Sequence, residues 1–146
     1  MGKALVVFST RTGETKKIAR LIAEGIRMEG AEATSAAISE IVSESDLAGY
    51  QAYVFGSATY HGEMMQSMKT MLFLAEKAEL QGKVGGSFGA FGWSGEAPDR
   101  IYETMKNIFR MEMVSGPFRL KSASLEGVLQ LAQAYGKEIG KRIKEL

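Results

Sequence analysis

Apolar runs separated by single helical periods restrict this chain more than any other feature of its sequence. Ala4–Phe8, Ala52–Gly56, Val84–Phe91 and Met111–Val114 are continuous stretches of apolar or small residues, as expected of strands buried on both faces. Glu32–Ile38 is a weaker stretch suited to a sheet edge. Between these runs Ile18, Leu21, Ile22 and Ile26 repeat at helical spacing. So do Met64, Met68, Met71, Leu72 and Ala75, then Ile101, Met105, Ile108 and Phe109, and finally Val128, Leu131, Ala132, Tyr135, Ile139 and Ile143. Ser43–Leu47 is long enough for a further small helix. One helix per connection implies right-handed crossovers, so the expected fold is α/β: a three-layer, doubly wound, five-stranded parallel sheet with helices on both faces. Methionines within the stripes read as adaptable core filler. With 146 residues and neither a repeat nor a linker, residues 1–146 are expected to form a single domain.

Composition removes several classes of chemistry. The chain has no cysteine, which excludes disulfides, thiolate catalysis and cysteine-held iron–sulfur clusters. Its single histidine, His61, argues against a nitrogen-rich metal site. A net charge of +1 gives no electrostatic case for nucleic acid. No apolar stretch approaches the ~20 residues of a membrane span, and nothing at the start reads as a secretory signal. Val6 stands where myristoylation prefers Ser or Thr, so the expected location is cytoplasmic. The chemistry left to the chain comes from carboxylates, hydroxyls or a borrowed cofactor.

Ligands of a doubly wound sheet collect beyond the carboxyl ends of its strands, which directs attention to three segments. The first is Ser9-Thr10-Arg11-Thr12-Gly13-Glu14-Thr15, where the first strand gives way directly to a helix. If that helix begins near Gly13, the main-chain N–H groups of Thr12 to Thr15 lack helical partners and meet the positive end of the helix dipole. Such a place binds anions. Hydroxyls of Ser9 or Thr10, Thr12 and Thr15 can add hydrogen bonds to phosphate oxygens, Gly13 permits close backbone approach, and Arg11 can assist from the rim. The alternative is a plain helix cap by Thr12, which needs only one hydroxyl. The segment matches neither the GxxxxGK[ST] nor the GxGxxG phosphate loop. Strand ends one and three also lack the aspartates of a phospho-accepting receiver domain.

The second segment, Gly56-Ser57-Ala58-Thr59-Tyr60-His61-Gly62-Glu63, sets aromatic residues among small ones at a strand end, which suits a planar ligand lying on backbone. The third, Phe91-Gly92-Trp93-Ser94-Gly95-Glu96-Ala97-Pro98, holds the only tryptophan ahead of a helix whose first turn takes Pro98. The T-x-T-G-x-T pattern of Thr10–Thr15, joined to these two loops, resembles the flavodoxin family, and the likeness runs from end to end in length and alternation. The GxWSGE segment, GKVGGSFGAFG before it and GSATYHG look especially like the flavodoxin-like domain of flavo-diiron proteins. The iron-binding partner domain of those proteins has no counterpart in these residues.

This resemblance implies flavin mononucleotide (FMN) as cofactor. Its phosphate would be held by Ser9, Thr10, Arg11, Thr12, Gly13, Glu14 and Thr15. Its ring would be flanked by Ser57, Ala58, Thr59, Tyr60, His61 and Gly62, and by Phe91, Gly92, Trp93, Ser94, Gly95 and Glu96. Tyr60 lies against the ring or is a surface aromatic; His61 stands near the flavin edge or in solvent; Trp93 contacts flavin or packs in the core. The implied function is that of an electron carrier rather than an enzyme, passing single electrons between redox partner proteins through the flavin semiquinone and hydroquinone. A monomer is expected, with no nucleic-acid or membrane partner. Two alternatives stand beside it: an FMN-dependent NAD(P)H:quinone-type reductase, and a non-redox module that binds another phosphate ligand or acts by protein contact. Flavodoxins are usually strongly acidic, whereas this chain is nearly neutral, so Glu14, Glu63, Glu96 and Asp99 are left to ring the flavin.

Overall fold

The computed structural model describes residues 2–10, 13–60, 63–90, 96–120 and 127–146. Its central sheet comprises β1 (Lys3–Ser9), β2 (Glu32–Ala37), β3 (Ala52–Ser57), β4 (Val84–Ala90) and a last strand in two pieces, β5 (Glu112–Met113) and β6 (Phe118–Leu120). All are parallel, in the order β2-β1-β3-β4-β5, with β6 also paired to β4. The outer layers are α1 (Glu14–Met28), α2 (Gln66–Glu76), α3 (Glu96–Glu103) and α4 (Val128–Lys144). The expected doubly wound parallel sheet is present, and its strand order reverses between β1 and β3. No helix among the described residues is long and apolar enough to cross a membrane.

Alternate side chains of the strands enter opposite cores, which is why these runs are apolar throughout. Ala4, Val6 and Phe8 of β1, with Ala52 and Val54 of β3, pack under the buried faces of α1 and α4. Leu5, Val7, Tyr53 and Phe55 point the other way, onto Met68, Met71 and Leu72 of α2 and Ile101 of α3. The methionines do fill core: Met68, Met71, Met105 and Met111 are all buried. α1 and α4 approach so closely that a Cβ on Gly25 would lie 2.1 Å from the Gln133 carbonyl oxygen, and one on Gly136 would lie 2.1 Å from that of Ile22. Only a residue without a side chain fits either position.

Several local expectations need correction. Ile108 falls on the helical stripe by spacing but is exposed, because Thr104–Ile108 forms a turn of π-helix. Phe109 N–H donates to the Thr104 carbonyl at 3.0 Å, and this wider turn keeps Ile101, Met105 and Phe109 inward while rotating Ile108 out. Leu131 is exposed as well, since the inward face of α4 runs along Val128, Ala132, Tyr135, Gly136, Ile139, Gly140 and Ile143. Ser43–Leu47 narrows to a 3₁₀ turn at Glu44–Leu47, and Met64 precedes its helix instead of joining it. Thr59–Tyr60 and Glu63–Met64 pair as a short antiparallel hairpin where the sequence suggests only a loop.

The break in the last strand, which the sequence does not show, has a chemical patch. β4 pairs with β5 at Val84 and Gly85 and with β6 from Phe88 onward, leaving Ser87 without a strand partner on that side. The Tyr135 hydroxyl fills the gap: Ser87 N–H donates to it at 3.0 Å, and it donates to the Ser87 carbonyl at 3.2 Å. Phe118 stacks on the Tyr135 ring at 4.9 Å between centroids. Burial pushes the Tyr135 phenol far above its ordinary pKa.

Candidate functional site

The ends of β1, β3 and β4 stand side by side, so the three segments picked from sequence share one edge of the sheet. Ser9 pairs with Ser57, and Gly56 pairs with Phe88. At the first of these ends the chain turns into α1 through Gly13, whose φ of 89° is a left-handed conformation natural to glycine. Among the described residues no side chain caps this helix. Lys17 N–H donates to the Gly13 carbonyl at 3.2 Å, so the N–H groups of Thr15 and Lys16 precede the first helical carbonyl available to them. Thr10 Oγ1 accepts the Gly13 N–H at 2.9 Å, which keeps its own proton available to donate.

Thr15 is the informative residue. It is 1% exposed, and among the described residues its Oγ1 has no hydrogen-bond partner. An orphaned buried hydroxyl costs about 1–3 kcal/mol and is rare in folded proteins. Here it lies in the first turn of α1, beside main-chain N–H groups at the positive end of the helix dipole. Among the described residues the donors gathered here are hydroxyls and amides, which fits a phosphate group.

Other predicted hydroxyls are committed to the protein. Ser9 Oγ lies 2.6 Å from Ser67 Oγ and 3.3 Å from Met65 Sδ, tying β1 to the start of α2. Ser57 Oγ accepts Met65 N–H at 3.1 Å and donates to the Ala58 carbonyl at 2.9 Å, closing the base of the hairpin. Ala58 N–H continues the β1–β3 pairing by donating to the Ser9 carbonyl at 3.2 Å. Thr59 Oγ1 accepts Ala97 N–H at 3.2 Å, which joins the second segment to the first turn of α3. Ser87 Oγ donates to the Pro98 carbonyl at 2.9 Å and holds the same turn from below. An ion pair between Asp99 and Arg119, 3.3 Å apart, links α3 to β6 at this edge. Sequence reasoning missed Ser67 and Ser87: each is a lone serine in a helix or a strand, with no motif around it.

Glu14 opens α1 and Glu96 opens α3, while Tyr60 lies in the hairpin opposite Glu63. Arg11, Thr12, His61, Gly62, Phe91, Gly92, Trp93, Ser94 and Gly95 lie outside the described residues. No group of His, Cys, Asp or Glu among the described residues is arranged to hold a metal ion.

Comparison with known proteins identifies the family of this chain. A family model described as a flavodoxin domain matches residues 5–134. The flavodoxin of Aquifex aeolicus is 38% identical over 100 residues, covering 65% of this chain and 54% of that protein. Rubredoxin-oxygen oxidoreductase of Megalodesulfovibrio gigas is 26% identical over 147 residues, covering 97% of this chain. The chain spans only 36% of the length of that oxidoreductase. Among solved structures, a flavodoxin from the domain Archaea superposes with a TM-score of 0.92 at 29% identity, covering 97% of this chain and 99% of that one. The chain belongs to the flavodoxin family, whose homologues bind FMN as cofactor.

Proposed function

We propose that this chain holds FMN with the phosphate at the start of α1 and the ring between the β3 and β4 loops, and that it carries single electrons between redox partner proteins. The observation that carries this reading is the Thr15 hydroxyl, buried and without a partner among the described residues, in the first turn of α1. Bound FMN supplies the redox chemistry. The chain's own residues bind and orient. Main-chain N–H groups of Thr15 and Lys16, with the hydroxyls of Thr10 and Thr15, would donate to phosphate oxygens. Ser57 and Thr59 tie the hairpin to the starts of α2 and α3. Arg11, Thr12, Tyr60, His61 and Trp93 complete the site in this reading.

Two titrations test it. Cofactor-free protein should bind FMN much more tightly than riboflavin, which lacks the phosphate. About three charge-assisted hydrogen bonds at about 1.5–3 kcal/mol each would separate the two by ~10³-fold or more. Stepwise anaerobic reduction of the FMN-loaded protein should then show two resolved one-electron steps. Equal affinity for the two flavins overturns the phosphate site; a single unresolved two-electron step overturns the carrier role.

A further inference from the structure

Three successive residues at the start of α3 are each held by a different segment of the sheet edge. Ala97 N–H donates to Thr59 Oγ1 of the hairpin at 3.2 Å. The Pro98 carbonyl accepts from Ser87 Oγ of β4 at 2.9 Å. The Asp99 carboxylate lies 3.3 Å from Arg119 Nε of β6. This turn rests directly on β4: a Cβ on Gly89 would lie 2.3 Å from the Ser57 carbonyl oxygen and 3.2 Å from Pro98 Cδ.

Such bonds fix a position only where their far ends are themselves fixed. Ser87 is fully buried and pairs with Phe55 of β3. On its other side the Tyr135 hydroxyl meets both its N–H and its carbonyl. Arg119 stands level with Gly89 in the pairing of β6 to β4. Asp99 Oδ1 is sealed from solvent and has no hydrogen bond among the described residues, so the Arg119 charge is what offsets its burial. Sequence leaves Asp99 to ring the flavin; the structure commits it to β6. Residues 91–95 join Ala90 of β4 to Glu96 of α3, so the start of α3 fixes where that loop ends. We propose that Ser87 and Arg119 are positioning residues of the cofactor site. Both act through the first turn of α3, and so set how closely the β4 loop meets the flavin ring. This rests on the proposed placement of the ring between the β3 and β4 loops. The two differ in one respect. The Ser87 bond is buried and indifferent to salt, whereas the Arg119 and Asp99 side chains are 50% and 41% exposed and their attraction is screened by it.

Cofactor-free parent and variants are titrated with FMN and with riboflavin. Ser87→Ala should weaken both flavins by the same factor, about twofold to tenfold, because the ring and not the phosphate loses its support. Ser87→Cys, which keeps a weaker donor, should lose less. Arg119→Gln should weaken both flavins by about twofold to fivefold. Arg119→Asp should weaken them more and Arg119→Lys least, since the charge on Asp99 selects that order. For riboflavin, which carries no phosphate, the Arg119→Gln deficit should close in about 1 M sodium chloride while the Ser87→Ala deficit remains. Far-ultraviolet circular dichroism should match the parent, and the visible circular dichroism of bound FMN should change, as a purely structural role would not require. Variants that bind both flavins as the parent does, or that lose affinity for FMN alone, overturn the assignment. An Arg119 series without that order, or indifferent to salt, overturns it for Arg119. A parent that binds neither flavin overturns the proposed function instead.

Discussion

Thr15→Val separates a ligand-holding hydroxyl from a structural one, because the two roles give effects of opposite sign. Without cofactor, Thr15 Oγ1 is buried and has no partner among the described residues. An unmade buried hydrogen bond costs about 1–3 kcal/mol. A methyl group in place of that hydroxyl should therefore leave the cofactor-free protein as stable as before, or more stable by up to roughly that amount. Helix propensity barely distinguishes Thr from Val, so it does not disturb the comparison. With FMN the sign reverses. A hydroxyl donating to a phosphate oxygen makes a charge-assisted bond of about 1.5–3 kcal/mol, and its loss raises Kd by about tenfold to 150-fold. At saturating FMN the same quantity reappears as reduced ligand-linked stabilisation. Calorimetric unfolding without FMN and quenching of flavin fluorescence on titration measure the two terms independently. A variant that melts earlier without FMN, yet binds it with unchanged affinity, would make Thr15 a framework residue and remove the phosphate from the start of α1.

Three further outcomes follow from packing and polar pairing. Gly25→Ala should destabilise by about 1–3 kcal/mol or more in a denaturant titration, although alanine is the better helix former, because its Cβ would meet the Gln133 carbonyl oxygen at 2.1 Å. A variant as stable as the parent would show that α1 and α4 can separate at no cost. Tyr135→Phe should cost about 1–3 kcal/mol at neutral pH by orphaning the Ser87 backbone groups at the split strand. Burial raises the folded pKa of Tyr135, so its share of stability is complete below the unfolded value of about 10 and is lost as pH rises beyond it. The parent should lose stability in alkali more steeply than the Tyr135→Phe variant, and equal slopes would refute the assignment. Thr59→Val should cost about 1 kcal/mol by removing the acceptor for Ala97 N–H at the first turn of α3. It should also loosen FMN binding, and an unchanged affinity would show that α3 is positioned without it.

The layers of the fold were legible because the sequence writes them redundantly. Every residue of β1 from Ala4 to Ser9 is buried, and helical stripes such as Ile18, Ile22 and Ile26 face the sheet as spacing requires. What failed were positions where backbone hydrogen bonding, not side-chain pattern, decides. The π-turn at Thr104–Ile108 leaves the apolar spacing intact and still moves Ile108 outward. The split last strand is joined by a tyrosine that reads in sequence as one more core aromatic. The hairpin is set by Ser57 and by the pairing of Thr59–Tyr60 with Glu63–Met64, over too short a span to produce an alternating pattern.

The same distinction governs the site. Counting hydroxyls marks Ser9, Thr10, Thr15, Ser57 and Thr59 alike as ligands. Their bonds divide them. Ser9, Ser57 and Thr59 each spend a hydroxyl on another segment of the chain, Ser9 and Ser57 at the start of α2 and Thr59 at the start of α3. They therefore tie two strand ends and the hairpin to two helix starts, with no ligand present. Among the described residues Thr15 alone of the five is buried without a partner, and Thr10 accepts the Gly13 N–H and keeps a proton to give. In the proposed reading these two meet the phosphate, and the ordering cost of the three tied hydroxyls is met during folding. On the proposed function, the hydroxyls that meet the cofactor are those left over once the framework has been satisfied, a division that residue type alone does not make.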